Sequence, residues 1–182
     1  MDIGTEYYHR FLQGDTNALE ELVREYGDAL TRYAFCYVKD AAAAEDIMAD
    51  TFAILIVKRK QFKEGAKFRT YLYKIARNKS IDYLRAHARN LPLNDLENVL
   101  QSKETENDYF RKERNRELFI CMQALSPQYR DVLYLVYFNG FDVREVCRVM
   151  RKNTKQVYNL LARAKSSLKE ILIKEGFSYE FL

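Results

Sequence analysis

The spacing of apolar residues is the feature of this sequence that most limits its fold. From Leu19 to Tyr37 they recur every three or four positions, which is the repeat of one buried face on an α-helix. The same repeat returns in the segments 41–56, 68–85, 127–138, 143–150 and 154–174. No segment alternates as a half-buried strand does, and only two prolines interrupt the 182 residues. The sequence therefore predicts an all-α fold.

Residues typical of helix starts stand where several of these segments begin. Asp15 precedes the first long helix as a candidate N-cap, and Ser126-Pro127 combines a capping serine with proline at the first helical position. Asp142 and Glu145 have the spacing of a capping box. These signals predict helices that begin just after 15, 126 and 142.

The chain is long enough for two small domains, and its periodicity fades once. Between Asn90 and about Lys103 the apolar repeat gives way to proline, asparagine and acidic residues. We interpret this stretch as a flexible acidic linker between two helical domains. The predicted limits are 1–89 for the first domain, 90–112 for the linker, 113–175 for the second domain and 176–182 for an aromatic tail.

Charge is distributed unevenly, although the net charge of the chain is only +4. Residues 1–57 carry a net charge of −7, and residues 58–89 carry +9. Residues 90–110 return to −4, and residues 111–182 carry +6. Solvated helix faces would explain one basic block. Two blocks that each overlap a helical motif favour two contacts with nucleic acid.

Several function classes are not indicated by the sequence. It contains neither an apolar run of about 18 residues nor a secretory signal, so a cytoplasmic location without membrane insertion is expected. Cys36, Cys121 and Cys147 form no CxxC pair, and His9 and His87 have no zinc-ligand spacing. We therefore expect no metal and no other cofactor. No catalytic constellation is recognisable, so we expect no enzymatic activity.

Residues 142–174 have the pattern of a helix-turn-helix, in which the second helix enters the DNA major groove. Val157, Leu161, Ala164 and Leu168 form the apolar side of that helix, which leaves the other side for bases and phosphates. The candidates for DNA contact are Lys155, Gln156, Tyr158, Asn159, Ala162 and Arg163. From the pattern alone, an ordinary helical hairpin is the alternative.

A second cluster, between residues 62 and 79, interleaves aromatic and basic side chains. Cations follow phosphates and aromatic rings stack on exposed bases, so this composition suits single-stranded nucleic acid. Phe68 and Tyr73 are better suited to the core, whereas Asn78 is able to donate to and accept from an extruded base. The remaining candidates are Phe62, Lys63, Lys67, Tyr71, Arg77 and Lys79. Taken alone, the cluster fits a plain basic surface helix equally well.

Short sequence motifs within these two clusters are specific enough to indicate a family. Ala44–Arg85 contains FRTYLYKIARN, and Leu125–Leu168 contains LSPQYRDVLYL followed by VYNLLARAK. The first segment closely resembles the second conserved region of bacterial RNA polymerase sigma factors, and the second segment resembles their fourth. Their order and separation are similar to those of the small extracytoplasmic-function (ECF) group.

The resemblance implies a fold of two helical domains, a region 2 bundle and a region 4 helix-turn-helix. It also implies that the helix after Asp40 grips the clamp of the polymerase. The polymerase contacts would be Asp46, Ala49, Asp50 and Phe52. Phe62 and its loop, with Tyr71 and Asn78, would capture the melted strand of the minus-ten element. Arg77, Lys79 and Arg85 would support its phosphates. The helix after Asn153 would read the minus-thirty-five element.

The function implied is that of an ECF-type sigma factor, which binds core RNA polymerase, recognises promoter DNA and helps to melt it. An anti-sigma protein is a further expected partner. The chain departs from the family at several places. Ala49-Asp50 stands where Gln-Glu is usual, and Arg151 stands in a turn that often has glycine. The alternative function is a helix-turn-helix repressor, or a sigma-like adaptor, that does not engage polymerase.

Overall fold

The computed structural model describes residues 3–59, 67–90, 118 and 121–176. These residues contain helices and turns and no strand, which confirms the predicted all-α class. The chain divides into two compact units, residues 1–102 and 103–182. The helices are α1 (Ile3–Leu12), α2 (Asn17–Val38), α3 (Ala41–Lys58), α4 (Phe68–Asn90), α5 (Pro127–Leu133), α6 (Val143–Met150) and α7 (Thr154–Lys174). The predicted domain limits stay predictions.

In the first unit α2 is the central helix, and α1, α3 and α4 all pack against it. Its core is rich in aromatic rings, because tyrosine and phenylalanine occupy many of the inward positions. The Phe68 ring lies 5.1 Å from the Tyr8 ring and 5.6 Å from the Tyr26 ring, measured between centroids. Phe68 is fully buried. These contacts fix the first residue of α4 against α1 and α2.

The short helix α1, which the sequence analysis did not single out, holds the beginning of α4. The hydroxyl of Thr5 accepts a hydrogen bond from the backbone N–H of Phe68 at 3.3 Å. The first N–H groups of a helix have no partner within the helix, so this bond satisfies one of them. Gly4 lies so close to Tyr26 and Phe68 that a β-carbon on it would overlap both rings. Helix α1 therefore acts as an external cap on α4.

The helix starts agree with the predictions in most cases. Asp40 caps α3 by accepting from the N–H of Ala43 at 2.8 Å. The N-cap of α2, however, is Thr16 and not Asp15. Asp15 still performs part of the capping, because its carboxylate accepts from the N–H of Asn17 at 3.1 Å. That carboxylate also forms an ion pair with Arg10 at 2.7 Å, which lowers the pKa of Asp15 and joins α1 to the start of α2.

In the second unit α7 packs against α5 and α6. Helix α5 begins with Pro127, as predicted, and continues into a single π-helical segment, Tyr134–Phe138. Helix α6 has the predicted capping box, in which Asp142 and Glu145 each accept from the other's backbone N–H. It ends at Met150, and the next residue, Arg151, has a φ of +54°, a left-handed conformation that glycine adopts more readily. The turn after α6 thus holds an arginine in a conformation that suits glycine.

The end of α3 differs from the prediction. Ile56, the last residue of the predicted apolar repeat 41–56, is 43% exposed, and its neighbour Val57 is 82% exposed. The sequence Ile54-Leu55-Ile56-Val57 is apolar throughout, so its spacing could not show which residues turn inward. Leu55 alone of these four is fully buried. Nearly all of the predicted linker and residues 177–182 of the tail lie outside the described residues.

Candidate nucleic-acid interface

Helix α7 presents all six predicted DNA-contact residues on its exposed side. Successive residues of an α-helix are about 100° apart, so Lys155, Asn159 and Ala162 fall within about 60° of one another. Gln156 and Arg163 flank them on one side, and Tyr158 flanks them on the other. The buried residues of α7 are Val157, Ala164 and Leu168, roughly opposite the centre of this face, whereas Leu161, also expected on the apolar side, is only partly buried. All six predicted side chains are solvent-exposed.

The first turn of α7 uses one of the predicted base-reading side chains for its own start. The Asn153 side chain accepts from the N–H of Gln156 at 2.8 Å, and the Gln156 side chain accepts from the N–H of Asn153 at 2.9 Å. This is a second capping box, which the sequence analysis did not notice. Gln156 therefore has a structural role in addition to any contact with DNA. The spacing Asn-x-x-Gln was the available signal.

On α4 the predicted strand-binding residues are divided among different faces. Tyr71, Asn78 and Arg85 follow at intervals of seven residues, which places them in one stripe along the helix. Lys79 is rotated by about 100° from this stripe in one direction, and Arg77 by a similar angle in the other. The backbone of a single-stranded DNA that ran along the stripe would therefore have cations on both sides.

The stripe itself is of mixed polarity. Burial raises the pKa of the partly buried Tyr71, because a low-dielectric surrounding favours the neutral phenol. Tyr73, which is almost completely buried, has a pKa raised further by burial and belongs to the core. At the other end Arg85 lies 3.8 Å from Asp82. Lys67 precedes α4 and is exposed, whereas Phe62 and Lys63 lie outside the described residues.

The predicted polymerase contacts on α3 also separate into two groups. Asp46, Ala49 and Asp50 are exposed and lie on the outer side of the helix. Phe52 is only 5% exposed and faces inward, so its ring supports the helix from within. The exposed Ile56 and Val57 add an apolar patch to the outer surface near the C-terminal end of α3. The sequence analysis did not assign these two residues to a surface.

An ion pair connects the acidic surface of α3 with the basic side of α4. The ammonium nitrogen of Lys79 lies 2.8 Å from a carboxylate oxygen of Asp50. The resemblance assigned these two residues to different partners, Asp50 to polymerase and Lys79 to DNA. The structure therefore brings together two candidate sites that the sequence treated as separate.

Two family models match this chain. Sigma-70 region 2 matches residues 22–90, which comprise α4, α3 and most of α2. Sigma-70 region 4 matches residues 116–168, which contain α5, α6 and most of α7. The chain belongs to the sigma-70 family. Within the family its curated relatives place it in the ECF group, and an ECF sigma factor acts with RNA polymerase in transcription initiation.

Relatives of this sigma factor are known in several bacteria. It is 28% identical to the ECF RNA polymerase sigma factor BldN of Streptomyces coelicolor over 92% of its own length and 65% of BldN. It is 25% identical to the ECF sigma factor SigM of Bacillus subtilis over 84% of its length and 94% of SigM. The length of the sigma factor thus agrees more closely with SigM than with BldN.

Solved structures share the fold of this sigma factor. The structure of CnrH in complex with the cytosolic domain of CnrY has a TM-score of 0.69 at 21% identity, covering 96% of this chain and all of that one. The sigma factor RpoE of Bartonella quintana, in complex with the anti-sigma factor NepR, also has a TM-score of 0.69, at 20% identity, and covers 85% of this chain and 96% of that one. Among the helices described for the sigma factor, none has the length and apolar character to cross a membrane.

Proposed function

We propose that this ECF-type sigma factor directs core RNA polymerase to promoters by using three faces, one for each contact. The outer face of α3, with Asp46, Ala49 and Asp50, is assigned to the polymerase. The Tyr71–Asn78–Arg85 stripe of α4 is assigned to the melted minus-ten strand, and the exposed side of α7 is assigned to the minus-thirty-five element. The proposal is supported by the two family models, which cover the helices that carry these faces.

The observation that carries the proposal is the geometry of α7. Its predicted DNA-contact residues share one exposed side opposite a buried side, and the preceding α6 and its turn complete the helix-turn-helix. Such a unit enters the major groove, where Arg pairs with guanine and Asn pairs with adenine. The repressor alternative would need this unit, but it would not need the acidic outer face of α3.

The protein works by recruitment and has no chemistry of its own in this proposal. Each unit alone offers few contacts, so the free chain should bind promoter DNA weakly. Polymerase holds the two units together and raises the effective concentration of the second contact after the first has formed. An unstacked base captured near Asn78 would then favour the open duplex. The proposed location is the cytoplasm, where sigma factors act, and an anti-sigma protein is a proposed regulator, as in the RpoE–NepR complex.

The test is run-off transcription with core polymerase and the full chain on a library of genomic fragments. Absence of any start site would contradict the proposal. On a promoter found in this way, Asn78→Ala should preserve polymerase binding and lower open-complex formation, whereas Arg163→Ala should weaken the upstream footprint.

A good bidentate base contact is worth about 1–3 kcal/mol, so Arg163→Ala should lower upstream affinity roughly fivefold or more. Lys169→Ala is the control, because it removes one charge from α7 six residues farther along the helix, beyond all the predicted contact residues. Equal losses in Arg163→Ala and Lys169→Ala would refute the assignment of the reading face.

A further inference from the structure

We propose that Asp50 restrains Lys79 in the free protein, and that a partner bound at Asp50 releases Lys79 to a DNA phosphate. The inference rests on the proposed function, because it takes α3 as the polymerase face and α4 as the DNA face. It adds a coupling between the two faces: occupation of one strengthens binding at the other.

The contact that carries the inference crosses between two helices. Lys79 Nζ and Asp50 Oδ2 are 2.8 Å apart and are separated by 29 positions in the sequence. Such a distance is that of a charge-assisted hydrogen bond, in which the ammonium group donates to the carboxylate. While the bond is formed, the positive charge of Lys79 is directed toward α3 and is neutralised there.

The exposure of the two side chains allows the bond to be exchanged. The Asp50 side chain is 58% exposed, so a cationic group or an N–H donor on a partner has access to its carboxylate. The Lys79 side chain is 36% exposed and has a flexible four-carbon stem. Exposed ion pairs are weak, and competition from a partner is therefore sufficient to open this one.

The position of Lys79 on α4 explains what its release would achieve. It directly follows Asn78 in the sequence and lies on the flank of the Tyr71–Asn78–Arg85 stripe. A strand along that stripe carries its phosphates on the flanks, where an unpaired lysine would meet them. By linkage, a partner that raises DNA affinity through this exchange gains affinity from DNA by the same factor.

The first experiment measures binding of the free full-length chain to a labelled deoxythymidine oligonucleotide by fluorescence anisotropy at several salt concentrations. Asp50→Asn should tighten binding about two- to fivefold, which is the range for release of one exposed ion pair. The slope of log affinity against log salt should steepen by about 0.7, the value for one added phosphate contact on a single strand.

Asp46→Asn is the matched control, since it removes the same charge from the same helix one turn earlier. It should change affinity less than Asp50→Asn does. Equal gains in the two variants would show a general charge effect and overturn the proposal. So would a gain from Asp50→Asn that persists when Lys79 is replaced by glutamine.

The second experiment measures the affinity of the chain for core RNA polymerase. Lys79→Gln leaves Asp50 without this competitor, so it should tighten polymerase binding about two- to fivefold. Arg85→Gln, which removes the same charge farther along α4, should have a smaller effect. If the two variants behave alike, the coupling is refuted. A chain that does not bind polymerase at all refutes the proposed function, whereas the first experiment still decides whether Asp50 restrains Lys79.

Discussion

Replacement of Gly4 by alanine should destabilise the first unit, although alanine is the better helix former. A β-carbon at Gly4 would lie 2.7 Å from Cε2 of Tyr26 and 2.8 Å from Cδ1 of Phe68. Carbon atoms in packed proteins are usually about 3.5–4.0 Å apart, so α1 or the two rings must move. Phe68 is fully buried, and its ring has little room to move.

The magnitude follows from three contributions. Overpacking of a core by one methyl group costs about 1–3 kcal/mol. Movement of α1 also weakens the hydrogen bond from Phe68 N–H to Thr5, worth about 0.5–1.5 kcal/mol. The higher helix propensity of alanine offsets this loss by adding up to about 1 kcal/mol to the free energy of unfolding. The net loss in the free energy of unfolding should be about 1–3 kcal/mol.

Gly27→Ala is the internal control for this prediction. Gly27 lies within α2, and a β-carbon there would make only an ordinary contact, at 3.7 Å from Val23 Cγ1. Helix propensity should therefore dominate and stabilise the first unit by about 0.5–1 kcal/mol. The assay is urea unfolding of the full chain, combined with hydrogen exchange in α1 and at the start of α4. If Gly4→Ala proves neutral, or shifts stability in the same direction as Gly27→Ala, the close packing of α1 on Phe68 is refuted.

Two further predictions concern the helix-turn-helix. Arg151→Gly should raise the stability of the second unit by up to about 1 kcal/mol, because glycine adopts the left-handed conformation at this turn without steric cost; a lower melting temperature would contradict this. Asp142→Ala should lower stability by about 1 kcal/mol through loss of the α6 cap, whereas Asp142→Asn should retain most of it. Thermal unfolding measures both, and equal effects of the two Asp142 variants would show that the cap contributes little.

The sequence was sufficient to predict features that depend on neighbouring positions. The buried side of α7 repeats regularly at Val157, Ala164 and Leu168, so its exposed side followed directly. The cap at Asp142 and the helix start at Pro127 were also correct, because they depend on residues within one turn. The apolar end of α3 was not predictable in this way. Ile56 has apolar neighbours on both sides, so the apolar pattern does not show which side chains face the core.

Contacts between residues that are far apart in the sequence could not be predicted from the sequence. Thr5 and Phe68 are 63 positions apart, and their hydrogen bond depends on how α1 crosses the start of α4. The pair Asp50–Lys79 depends in the same way on the packing of α3 against α4. Each residue of these pairs could be recognised as polar and placed on a helix. Only the packing of the helices showed which side chains meet.

The capping box at the start of α7 limits how this protein could acquire a new promoter preference. A substitution at Gln156 changes a side chain on the proposed DNA-reading face and also removes a hydrogen bond at the start of the helix. Asn159 and Arg163 lie beyond the first turn, where a substitution leaves the start of the helix intact. Retargeting, in evolution or by design, should therefore proceed most easily through these two positions, with Gln156 held constant.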